Sequence, residues 1–197
     1  MQARAAAAIV MLTLLSAAVP ARAQEAPGPD PAVPGRPATA AERFRNYAFD
    51  TAGPTILVET IGWAAAEQVA KTPEEWGSGA KGFGKRYASL IGQGAIQESV
   101  TYGLSEAFAV DSRFHKSAKR GFFPRAGEAV LQAMTSRRAD GRRVLSAPLL
   151  TGYAAGGLGM MTWYPDSYTY KDGLRYGGLA LASRAGVNLI REFILRR

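Results

Sequence analysis

Apolar and polar positions from Thr39 onward recur mostly three and four residues apart, the period of helices that bury one side. Thr39 and Glu42 form a Thr-x-x-Glu capping box ahead of "AERFRNYAFDTA". A hydroxyl and a carboxylate at that spacing satisfy each other's unpaired backbone amides, so a short amphipathic helix is predicted there. Gly53 and Pro54 break it and restart it. In the following "PTILVETIGWAAAEQVA", Leu57, Ile61, Ala65 and Val69 share a face, with Glu59 the one charge inside the apolar half. That spacing predicts a core helix. Thr72, Pro73 and Glu75 supply the cap, first-turn proline and acid of a short helical turn.

Residues 83–108 carry the longest helical pattern, with Gly84, Ala88, Gly92, Ala95, Ser99 and Gly103 along one face. Side chains that small let a second helix approach closely, so this face is predicted to pack. A polar, basic connection over 109–122 follows. Pro124 then opens a further predicted helix, "PRAGEAVLQAMTSRR", and Arg137, Arg138, Arg142 and Arg143 crowd a second basic loop. Residues 144–163 hold no charge, close to the length that crosses a hydrocarbon core, with basic residues on one flank and Trp163 and Tyr164 on the other. A membrane segment and a helix or hairpin sheltered by its neighbours both fit this run. The final segment, 172–197, sets Gly178, Ala182 and Gly186 on one face and Arg184, Asn188 and Glu192 nearly opposite. Such a polar ladder reads first as a solvated face. If the bundle encloses it, Arg184 needs a carboxylate, and Glu59, Glu98 and Glu106 are the available partners.

Composition places this helical stretch in one domain and outside the cytoplasm. The first 23 residues have Arg4, an apolar run ending before Pro20 and a small-residue "ARA", the pattern of a cleaved signal peptide. Residues 24–38 are a Pro-rich disordered tether. The chain of 197 residues has no cysteine, so its core must come from packing alone. Removing Arg4 and Arg22 lowers the net charge from +8 to +6. On an exported protein that excess suits anionic lipid headgroups and envelope polymers better than nucleic acid, for which no motif is present. The alternation in "SYTYKDGLRYGG" fails within a few residues and does not repeat, unlike the strands of an outer-membrane barrel.

The segment "WGSGAKGFGKRY" matches both GxGxxG and most of GxxxxGK[ST]. Each motif needs a strand feeding the glycines, whereas "TPEEW" precedes them, and Arg86 occupies the hydroxyl position of the phosphate loop. A weaker reading is an anion site for a phosphate or lipid headgroup at the start of the long helix, built from Gly82, Gly84, Lys81, Lys85 and Arg86. A second candidate is a polar cluster of Glu98, His115, Arg184, Asn188 and Glu192. His115 is the only histidine, so neither a metal site nor a cofactor is expected. Asp111, Ser112 and His115 are neighbours in sequence, but no GxSxG elbow accompanies them.

"PEEWGSGAKGFGKRYASLIGQGAIQES", "DSRFHKSAKRGFFPRAGEAV" and "AGVNLIREF", in that order over most of residues 50–195, resemble a family of small exported bacterial proteins with a WGxGxxGFGKRY-type motif. That resemblance implies an envelope location and a helical, membrane-associated architecture, with no assigned activity or catalytic residue.

The sequence therefore predicts an all-α fold, a compact bundle of four to five Gly-rich, partly membrane-like helices over 39–197. The expected role is structural or interactive in the cell envelope, non-enzymatic, with a membrane or anionic lipid as partner and a protein partner or homo-oligomer also open. The alternative is a periplasmic binding protein or hydrolase for a phosphorylated or lipidic ligand, using the basic loops and His115.

Overall fold

Thr39 accepts from the Glu42 amide and the Glu42 carboxylate accepts from the Thr39 amide, closing the capping box that opens α1, Ala40–Ala52. These are the first elements of a computed structural model that describes residues 39–194. The expected signal peptide (1–23) and tether (24–38) lie outside the described residues, as do residues 195–197. Gly53 ends α1, and Pro54, which lacks the amide a first turn leaves unpaired, starts α2, Pro54–Ala70. A 3-10 turn, Glu74–Trp76, leads into the 28-residue α3, Ala80–Ala107. Beyond it come β1 (Val110–Asp111), α4 (Phe122–Leu131), β2 (Thr135–Arg138) and β3 (Arg143–Leu145). Ser146 caps α5, Ala147–Met160, through its hydroxyl, and Thr169 with Asp172 boxes the start of α6, Tyr170–Phe193.

α5 lies between α3 and α6, α1 and α2 pack on α3, and α4 packs on α6. Close approach on both sides of α5 comes from its own glycines. A methyl at Gly156 would meet the Gln93 carbonyl of α3, and one at Gly157 would overlap the Gly173 carbonyl of α6. Both neighbours are backbone, so nothing can move aside. The charge-free run of 144–163 thus resolves into a sheltered helix of 14 residues, about 21 Å long and short of a roughly 30 Å hydrocarbon core. Among the described residues no helix is long and apolar enough to cross a membrane.

The mostly helical fold agrees with the all-α expectation, to which the structure adds one small sheet. The helix expected from Pro124 to Arg138 is cut to Phe122–Leu131, and Thr135–Arg138 becomes the middle strand of an antiparallel sheet ordered β1-β2-β3. Val110 lies opposite Arg138, and Ser136 opposite Val144. The turn between β2 and β3 holds Asp140 and Gly141, the latter at φ +80°, where a side chain would be strained.

Three predicted packing faces point the other way. Leu57, Ile61 and Val69 of α2 are exposed, and the helix buries Thr60 and Ala64 instead. On α3, Gly84, Ala88, Ser99 and Gly103 are exposed, while Arg86, Ser89, Gln93, Gln97 and Thr101 are buried. On α6, a methyl at Gly178 would meet nothing, whereas one at Gly177 would strike the Tyr153 carbonyl. For α3 and α6 the cause is shared: α5 brings the small residues to both contacts. α3 can then press longer polar side chains against it, and α6 needs only Gly173 and Gly177.

Candidate functional site

Arg86 lies on the second turn of α3, against the loop that joins α2 to it, and it is fully buried. Its Nε donates to the Thr72 carbonyl at 2.8 Å, Nη2 to Pro73 at 2.6 Å, and Nη1 to Gly77 at 2.9 Å and to Gln68 Oε1 at 2.6 Å. A guanidinium has only donors, so a ring of carbonyls is its natural complement. This corrects the anion site: Arg86 is a clasp for residues 72–77 and does not face a ligand. Gly82 belongs to the same clasp, because a methyl there would meet the carbonyls of Trp76 and Gly77. Lys81, Gly84 and Lys85 remain on the surface.

Beside the clasp, Glu67 of α2 places a buried carboxylate oxygen without a hydrogen-bond partner, and the buried Tyr164 hydroxyl also lacks one. Desolvation outweighs the nearby Arg86 charge and pushes the Glu67 carboxyl up to about 8. Trp76 packs edge-on against Tyr164, and Tyr164 against Tyr168 and Tyr176, which closes this end of the bundle with aromatic rings.

The polar ladder of α6 turns inward, contrary to its reading as a solvated face: Asn188 and Glu192 are each 1% exposed. Asn188 Nδ2 donates to the Ala129 carbonyl, and Glu192 accepts from Arg125 Nε at 2.7 Å and from the Ser117 amide at 3.0 Å. Arg184 donates through Nη2 to the Ser112 carbonyl at 2.7 Å, and its Nε is buried without a partner. Burial opposes its charge, but Tyr153 and Glu98 nearby raise its pKa. Of the three carboxylates considered for Arg184, Glu106 pairs with Arg43, and Glu98 acts on Arg184 only through its charge.

Glu98 also borders a recess of about 50 Å³ with Asp50, Thr51, Thr60, Gln97 and Ile56, room for a few waters. Burial, and then Glu98, raise the pKa of Asp50. His115 is not part of this group. Its backbone amide and carbonyl are both bonded to the Gln132 side chain at 2.8 Å, and its ring Nε2 lies 3.1 Å from Asp111 Oδ2. The Ser112 hydroxyl is hydrogen-bonded to those of Ser105 at 2.9 Å and Ser136 at 2.7 Å, so the Asp111, Ser112, His115 neighbourhood holds no serine–histidine pair. The predicted five-residue cluster is therefore divided among three places. Among the described residues, no three carboxylate or imidazole groups gather to hold a metal.

What these places share is polarity on the inside. Among the described residues, fourteen buried ones are polar or charged, against eight hydrophobic ones, four of them alanine, and two prolines, while nineteen large apolar residues are exposed. Most soluble interiors show the reverse. Glu67, Asp50 and the inward role of Arg86 escaped sequence reasoning; a lone acid in an alanine-rich helical turn, as Glu67 is in "AAAEQVA", was the available signal. No family model, curated protein or solved structure matches this chain.

Proposed function

We propose that this chain is an exported, membrane-associated helical protein with a structural or interaction role in the bacterial cell envelope. The observation that carries the reading is the inversion of polarity. α2 turns Leu57, Val58, Ile61 and Val69 outward, with Val69 81% exposed, and keeps Thr60 inside. Contiguous exposed apolar side chains are costly in water, and an acyl or protein environment removes that cost. Lys81 and Lys85, exposed at the start of α3, suit headgroup phosphates. Export rests on the residue pattern of 1–23.

Fractionation of cells expressing the chain tests this. The protein should sediment with membranes, persist through a high-salt wash and be released by detergent. Full recovery in the soluble fraction without salt or detergent would end the proposal.

A further inference from the structure

From residue 24 onward the net positive charge of this protein lies in one region. Residues 111–143 contain nine Lys or Arg and three Asp or Glu, a net of +6; residues 24–110 and 144–197 together contain thirteen of each, a net of zero. The fold gathers that segment into one platform of β1, α4 and the β2–β3 hairpin. Glu128 of α4 is its hub, reached by Arg143 at 2.7 Å, by Lys119 at 3.5 Å and by Arg137 at 3.6 Å. Arg120, Arg138 and Arg142 of the same segment are exposed.

In the midst of these cations α4 presents an apolar face to solvent. Phe122 is 62% and Phe123 84% exposed, Val130 and Leu131 continue the face about two turns on, and exposed Met134 follows just past the helix end. Glu128 and Ala129 are the residues α4 buries, and Ala133 is buried just past its end. Phe122 is held in place by stacking on Phe193 at 4.8 Å, whose ring also carries the Arg125 guanidinium at 4.9 Å. Phe123 meets Phe122 edge-on at 5.4 Å and projects beyond it. A short helix with aromatic rings outward and cations beside them suits the boundary between headgroups and acyl chains, where rings enter the apolar layer and cations meet phosphate.

Resting on the membrane-association reading, we propose that Phe122 and Phe123 are a wedge that inserts into a bilayer leaflet rich in anionic lipid, with the surrounding Lys and Arg residues holding the headgroups. A second copy is the poorer occupant, because a face-to-face pair would bring two +6 platforms together.

Cosedimentation of the chain with vesicles of phosphatidylcholine, with and without phosphatidylglycerol, tests the wedge. The unaltered chain should bind the anionic vesicles more tightly, and added salt should weaken that preference. The double variant Phe122→Ser, Phe123→Ser should lose about tenfold or more in affinity for them, since each ring forfeits apolar burial. Circular dichroism confirms that the variant keeps its helices. Because the chain has no cysteine, Phe123→Cys carrying a spin label gives an independent readout, with expected protection from aqueous relaxants on vesicle binding. Equal vesicle affinity of the double variant and the unaltered chain, or a label that stays in water, overturns the wedge and leaves membrane association standing. Failure of the unaltered chain to bind any vesicle overturns both. Self-association lost in the double variant, with vesicle binding kept, assigns the face to a second copy instead.

Discussion

The helical body and the basic platform expose apolar side chains in different electrostatic settings, one with no net charge and one strongly positive. In the body, formed by α1, α2, α3, α5 and α6, long polar residues such as Arg86, Gln93 and Gln97 face inward and apolar ones such as Ile61 face outward. In the platform, cations share the exterior with Phe122 and Phe123. The contrast separates two tasks. Inward polar groups of the body determine stability, because a buried donor or acceptor that loses its partner costs more than the bond was worth. Outward cations of the platform scarcely touch stability and bear on what the surface meets.

Substitutions can break that division. Arg86→Ala should have the largest effect, lowering stability by about 3 kcal/mol or more, because the carbonyls of Thr72, Pro73 and Gly77 lose their donors together. Arg86→Lys should recover little of it, since an ammonium cannot span that ring of carbonyls. Gly157→Ala comes next, at about 2–3 kcal/mol, as its methyl overlaps the Gly173 backbone. Thermal or denaturant unfolding reads both. Stability unchanged in either variant would show that the glycine and arginine contacts do not hold the body together.

Glu67 sharpens the same point through pH. Burial raises its folded pKa from 4.5 to about 8, so the folded chain keeps a proton that the unfolded chain releases between those values. Stability should therefore fall as pH rises from about 4.5 to 8, by at most about 1.4 kcal/mol per pH unit from this group. Asp50 and Glu59, also raised by burial, act in the same direction. Glu67→Gln should flatten the dependence and leave the variant the more stable chain at pH 8. An identical pH profile in both would refute the inward placement of this carboxyl. The smallest expected effect is at Gly178, next to a glycine that cannot change. Gly178→Ala meets open space and should add about 0.5–1 kcal/mol through helix propensity, whereas Gly177→Ala destabilises.

The sequence revealed periods more faithfully than directions. The Thr39 capping box, the Pro54 restart and the turn after Pro73 all lie where the residues imply, since those signals are local. The packing faces of α2, α3 and α6 did not, because helical spacing shows which residues share a face and leaves open whether that face turns inward. Small residues on both sides of α6 made the choice invisible: Gly177 packs and Gly178 does not. The β2–β3 hairpin was signalled by Asp140–Gly141, a turn dipeptide lost among the arginines. For the candidate site, Arg184, Asn188 and Glu192 are spaced four apart on α6, whereas the separation of His115 from them depends on Gln132, seventeen residues on, which only the fold brings beside it.

The central claim is that the outer apolar face of α2 rests in lipid. A spin label at Ile61→Cys, 50% exposed on that face, reports it directly on a chain without other cysteines. On adding anionic vesicles, collisions with oxygen, which concentrates in acyl chains, should rise while collisions with a water-soluble nickel complex fall. A label whose oxygen and nickel accessibilities stay as they were in water, with the protein bound to the vesicles, would contradict the account.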